Sequence, residues 1–181
     1  MGMIQTKMKK AKPLFVTALF VLTLQAISYG QGSFEDPDSL ILCLHKVLSG
    51  PAGARNWELY RSLFHEKAIL GVVRTDAQGH PSYSSSTPEE YTKRTDEFFR
   101  TNDFYVEETH RITERFGDIM SLFSTYQFRV GGGAKSQQRG KGINSFQLIH
   151  EAGRWWIISL QYTNERPDLP MPKQYEGIDV K

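Results

Sequence analysis

The stretch R-G-K-G-I-N-S-F-Q-L-I-H-E-A-G-R-W-W-I-I-S-L-Q-Y, residues 139–162, is the densest run of Ile, Phe, Trp and Tyr in the chain. Aromatic and β-branched residues at this density favour strands. The Glu151-Ala152-Gly153-Arg154 break near its middle suits a hairpin turn, with Gly153 supplying a positive φ. Two long strands joined this tightly need cover on one face. The flanking sequence supplies it.

Immediately upstream the period is already two. Residues Phe104 to Phe116 alternate, Gly117-Asp118 makes a tight turn, and Ile119 to Val130 alternate again. Gly131-Gly132-Gly133 and the polar residues up to Gln138 read as a flexible loop leading into the hairpin. Four sequential strands this long exceed the usual length of about 5–6 residues, which predicts a strongly curved, wrapping sheet.

Further upstream the signals are helical. Asp36-Pro37-Asp38 opens a first helix, with Asp36 as N-cap and Pro37 at the first helical position. Leu40, Ile41, Leu44, Val47 and Leu48 recur at helical spacing until Ser49-Gly50-Pro51 stops them, and His45 lies adjacent to that stripe. A short second helix carries Trp57, Tyr60, Leu63 and Phe64 on one side and gives way near His65 to a strand over residues 68–74. Residues 75–80 form a hairpin loop to a short strand near residues 82–84. Thr87-Pro88-Glu89-Glu90 starts a third helix through a capping box, and Tyr91, Thr95, Phe98 and Phe99 mark its buried stripe. Beyond Tyr162 the proline-rich segment 167–181 reads as an extended tail that Leu169, Met171 and Tyr175 pin to the body. Helices followed by sequential strands make an α+β domain over residues 31–166, a cone-shaped curved antiparallel sheet wrapping about three N-terminal helices, with a pocket at its open end.

Residues 1–30 stand apart. Lys7, Lys9, Lys10 and Lys12 precede an apolar run over residues 14–27, and Ser28-Tyr29-Gly30 offers small residues at the cleavage positions. That is the layout of a secretory signal peptide cut after Gly30, which predicts an exported domain, periplasmic or secreted, with no stable membrane anchor. The 22 basic residues less those four lysines leave 18 against 20 acidic, a formal balance of −2. A mildly acidic domain gives no electrostatic reason to expect nucleic acid. Cys43 is the single cysteine, so neither an internal disulfide nor a cysteine metal cluster is expected, and it reads as a small buried hydrophobe. No histidine pair has metal-ligand spacing on one element, so neither a metal nor another cofactor is expected.

The element order, with R-G-x-G-I-N-S-F-Q-L and G-R-W-W-I-I-S-L-Q-Y-x-x-E, resembles the nuclear transport factor two-like superfamily and, more narrowly, its SnoaL-like exported bacterial members. The resemblance covers residues 34–170 and is strongest over residues 140–165. It implies a cone-shaped α+β fold with a pocket, and often a homodimer formed through the outer sheet face. The superfamily includes isomerases, dehydratases, cyclases and binding or dimerisation modules, so it implies no single activity.

Alternation fixes the candidate chemistry. The face of Phe104 to Phe116 that carries Phe104, Val106, Ile112 and Phe116 also carries Glu108 and His110, a carboxylate–imidazole pair able to move a proton. Tyr126 shares a face with Met120, Leu122 and Phe128; isomerases of the resembled superfamily use tyrosine to polarise a carbonyl. Asn144 goes with Phe146 and Leu148, and Gln161 with Ser159, Trp155 and Ile157. Trp57, Tyr60 and Tyr91 from the helices and His65 at the rim complete a pocket with Asn144 and Gln161. The leading expectation is binding of a small apolar or amphipathic molecule without catalysis. The alternatives are a cofactor-independent acid–base enzyme using Glu108, His110 and Tyr126, or a dimerisation module.

Overall fold

Asp36 opens the first helix among the described residues. Its carboxylate accepts from the backbone N–H groups of Asp38 and Ser39 at 3.1 and 3.2 Å, satisfying donors that a helix start leaves free. The structure, a computed structural model, describes residues 34–131 and 138–177 together with Gly2. The expected signal peptide, Gly132, Gly133 and the last residues of the tail lie outside the described residues. Helix α1 (Pro37–Leu48) buries Leu40, Ile41 and Leu44 on one stripe, and His45 belongs to that stripe rather than lying beside it. Helix α2 (Trp57–Ser62) leads into strand β1 (Phe64–Thr75), which starts earlier than expected, and β2 (Pro81–Ser86). The expected capping box at Thr87 and Glu90 is present at the head of α3 (Pro88–Thr101).

Strands β3 (Phe104–Phe116), β4 (Ile119–Val130), β5 (Gln138–Glu151) and β6 (Arg154–Asn164) come next. At the β5–β6 turn both Ala152 and Gly153 take positive φ, 51° and 79°, the backbone twist that a tight hairpin needs. The sheet order is β2-β1-β6-β5-β4-β3. Every neighbouring pair is antiparallel except β1–β6, which is parallel. The sheet is therefore mixed where a purely antiparallel one was expected. The route from β1 to β6 passes through helix α3, and a long crossover of that kind is what lets two strands run parallel.

Two bulges interrupt the ladders. In β3, Glu108 pairs with Tyr126 and His110 with Thr125, leaving Thr109 as an extra residue. In β6, Ser159 pairs with Gln147 and Ile157 with Leu148, leaving Ile158 extra. One added residue turns every later side chain to the other face.

The concave face holds the helices. Met120, Leu122, Phe146, Leu148, Ile157 and Leu160 pack with Leu40, Ile41, Leu44, Tyr60 and Leu63 in one buried cluster, each large side chain contributing roughly 1.5–3 kcal/mol. Cys43 is half-buried against it. On the outer face the tail folds back: the Thr125 hydroxyl donates to the Tyr175 carbonyl, and the Tyr175 ring lies 5.5 Å from that of Phe123. Lys141 pairs with Glu176 at 2.8 Å. Tyr175 thus pins the tail as expected, whereas Leu169 remains exposed.

Candidate functional site

The polar part of the concave face is built from two cross-strand rows. Glu108, Tyr126, Gly142 and Asn164 stand in register across β3 to β6, and so do Arg111, Ser124, Asn144 and Tyr162. Residues in register share a face. Gly142 is required there: a Cβ would stand 2.4 Å from the Tyr126 hydroxyl and 2.6 Å from the Thr163 carbonyl. The Tyr126 hydroxyl donates to Asn164 Oδ1 at 2.6 Å, and burial pushes its phenol up.

Glu108 and Arg111 are three residues apart, a spacing that alternation would put on opposite faces. The bulge at Thr109 brings them together. Arg111 Nε and Nη2 donate to the two Glu108 carboxylate oxygens at 2.8 and 2.6 Å, a bidentate geometry. Its remaining nitrogen, Nη1, bonds Asp38 at the head of α1, so one guanidinium ties strand to helix. Burial would raise the Glu108 carboxyl, but the Arg111 fork, the neighbouring Ser124 hydroxyl and nearby His45 together bring it below the usual carboxylate range.

His45 reaches this cluster from α1. It is 6% exposed, and its Nε2 is buried without a hydrogen-bond partner. Burial lowers its pKa, Glu108 pulls it up and Arg111 lowers it again. Ser124 is fully buried; although it favours the charged form of Glu108, its Oγ makes no hydrogen bond of full geometry. Asp38, Leu42, His45, Lys46, Glu108 and Arg111 line a groove of about 840 Å³ between α1 and β3. A second groove of about 610 Å³ adjoins it at Ser49, Val106 and Glu107 and runs toward Arg129 and Lys141. Among the described residues no group of three or more His, Cys, Asp or Glu is placed to hold a metal ion.

Five of the residues picked from sequence surround this part of the concavity: Glu108, Tyr126 and Asn144 from the strands, and Tyr60 stacked on Tyr91 at 5.4 Å from the helices. Burial raises both helix phenols, with Tyr162 close enough to add to the effect. Four sit elsewhere. His110 is turned to the outer face by the Thr109 bulge, pairs with Thr125, and lies against Gly177 of the tail. Gln161 is turned outward by the Ile158 bulge, where it and Tyr83 fill the space over Gly71. His65 meets the Glu151 carboxylate at 3.0 Å and the edge of Trp156, away from the cavity, because β1 is irregular between Phe64 and Ile69. Trp57 donates to Asp96 at 2.6 Å and packs on Phe99, which makes it part of the helix packing. Sequence reasoning missed His45, Arg111 and Ser124. His45 was within reach, since it stands four residues after Ile41 and three before Leu48.

No family model matches the chain and no curated protein matches it in sequence. Solved structures do. A candidate dehydratase of the NTF2-like family from Streptomyces avermitilis superimposes with a TM-score of 0.55 at 11% identity, over 74% of this chain and 96% of its own. The fold is NTF2-like. A protein of unknown function with a cystatin-like fold from Nostoc punctiforme gives 0.54 at 17% identity, over 74% and 91%. A candidate calcium/calmodulin-dependent protein kinase II association domain from Xanthomonas campestris gives 0.50 at 14% identity, over 72% and 83%. Identities this low carry the NTF2-like architecture alone, and the chemistry has to be argued from the side chains present.

Proposed function

We propose that this chain is a small-molecule-binding NTF2-like domain whose ligand lies against the polar half of the concave face and enters between α1 and β3. The supporting observation is the pair of buried, unpartnered atoms His45 Nε2 and Ser124 Oγ, both beside Glu108. A buried polar group left unpaired costs about 1–3 kcal/mol. Two such groups at one carboxylate make sense where a ligand meets them. The groove falls within the range of about 300–1,000 Å³ usual for small-ligand sites. Leu42 and Val106 beside His45, Glu108 and Arg111 on the groove wall suit an amphipathic ligand better than a wholly apolar one.

Export and pairing belong to the same proposal. The leader sequence supports export with cleavage after Gly30. The exposed Ile112, Ile119 and Phe123 on the outer face, beside the tail, support pairing of two copies through that face. Native mass spectrometry of the domain purified from its own cell envelope tests all three at once. The expected result is an added small-molecule mass that a His45→Leu/Ser124→Ala double variant lacks. A bare wild-type protein whose melting temperature no member of a fragment library raises would overturn the binding reading. A true ligand at 100 times its Kd adds about 2.7 kcal/mol.

A further inference from the structure

We propose that the tail, through Tyr175 to Gly177, is a positioning element that sets the register of β3 and so decides whether Arg111 or His110 stands beside Glu108, a device that operates with or without a ligand. Strand β3 has two ways to pair. With Thr109 as the extra residue, Arg111, Thr113 and Arg115 lie opposite Ser124, Leu122 and Met120, while Ile112 and Phe116 are left outside, 40% and 86% exposed. Without the bulge, Thr109 would pair with Thr125, His110 with Ser124 and Ile112 with Leu122, since a one-residue slip turns each side chain to the other face. That regular register hides Ile112. It also turns His110 inward in place of Arg111. β3 is an edge strand, so the change breaks a single ladder. Gly117, at φ 57°, suits either the present two-residue turn or the three-residue loop that the regular register needs. The first part of the strand stays fixed, because Phe104 exchanges backbone bonds with Gly50 and Val106 bonds the Ser49 hydroxyl.

Burial of Ile112 favours the regular register. Against it stand the Arg111 fork on Glu108 and the Arg115 guanidinium, 4.8 Å over the Trp155 ring. The slip would also turn Glu114 inward opposite the buried Met120. The tail adds its weight from the outer face. The Tyr175 carbonyl accepts from the Thr125 hydroxyl, and the Tyr175 ring lies against Phe123. Gly177 passes so close to His110 that a Cβ there would stand 3.2 Å from Nδ1. These contacts cover the pairs His110–Thr125 and Ile112–Phe123, which exist only while Thr109 is extra. Thr109 is tied to the same spot, its hydroxyl donating to the Thr125 carbonyl at 3.3 Å. A slip would swing His110 away from Gly177 and Ile112 away from Phe123. The tail therefore holds the bulge, and the bulge holds Arg111 on Glu108.

Cross-strand contacts read by NMR on the domain, purified as above, test this. In wild type Ile112 should contact Phe123. Tyr175→Ala/Gly177→Val changes nothing on the concave face, yet should give a second set of amide peaks for residues 109–116, with Ile112 on Leu122. That set should be populated about 10-fold more than in wild type, the equivalent of one lost hydrogen bond. Adding Ile112→Asp should remove it, because an aspartate is accepted outside but costly against Leu122. A double variant with a single set of peaks and Ile112 still on Phe123 overturns the proposal. So does a second set that survives Ile112→Asp. If the double variant fails to fold, Gly177→Ala, strained at φ 71°, decides by the same peaks. Register is read without a ligand, so a bare protein in the mass spectrum would overturn the binding reading and leave this test intact.

Discussion

The two halves of the concave face come from the same strands and do opposite work. In one, Leu122, Phe146, Leu148 and Ile157 are almost wholly buried in a cluster that includes Leu40, Ile41 and Leu44 of α1. In the other, a few residues along β4 and β5, the positions are Ser124, Tyr126 and Asn144, facing Glu108 and Arg111. The first half gains free energy from each side chain it hides. The second leaves two polar atoms unsatisfied. Stability is thus concentrated where no chemistry can happen, and chemical potential where folding gains least.

That division can be broken, beginning with its strongest member. Phe146→Ala should cost about 3–5 kcal/mol in urea unfolding, the usual loss for a buried aromatic. A loss under about 1 kcal/mol would mean that the apolar half does not carry the fold. Arg111→Met should cost about 1.5–3 kcal/mol, because it leaves the Glu108 carboxylate without its charged partner. The pH dependence should change too. Glu108 has a depressed folded pKa in the native protein, so its stabilisation is present above the unfolded value and is lost as pH falls through the folded one. In Arg111→Met the folded pKa rises, so that acid-induced loss should shrink, as read from denaturation curves across the acid range. Tyr126→Phe removes the bond to Asn164 and should cost about 0.5–1.5 kcal/mol. Ser124→Ala should be neutral or stabilising by up to about 1 kcal/mol, since the hydroxyl it removes has no full partner; a clear destabilisation would show that Ser124 is already satisfied in the free protein.

The architecture was legible because it rests on averages. Capping signals at Asp36 and Thr87, the β-rich stretch at residues 139–162 and the order of elements each involve several residues that agree. The site rests on single positions, and there the period-two count failed twice. Thr109 and Ile158 carry no sequence mark of a bulge, yet each shifts the count by one and reverses the facing of every later residue in its strand. That is why His110 and Gln161 face outward, and why Ile112 and Phe116, expected inside, are exposed. Glu108 and Tyr126 survive because they lie before the first bulge or on the unbulged partner strand. The imidazole that Glu108 was expected to meet comes instead from a helix some sixty residues earlier, a juxtaposition that only the tertiary fold creates.

The position of β6 has a consequence in time. It is the last strand made, yet it sits in the middle of the sheet, between β5 and the first strand, and the two are stitched by bonds such as Thr163 to the Val73 carbonyl, 90 residues apart. Until residues 154–164 have been synthesised, the β1–β2 hairpin has no edge to join. Chains that depend on such distant pairings fold on the scale of milliseconds to seconds. The ribosome therefore delivers the other five strands before the sheet can close, and a premature stop within β6 would release two half-sheets with open edges rather than a shortened domain.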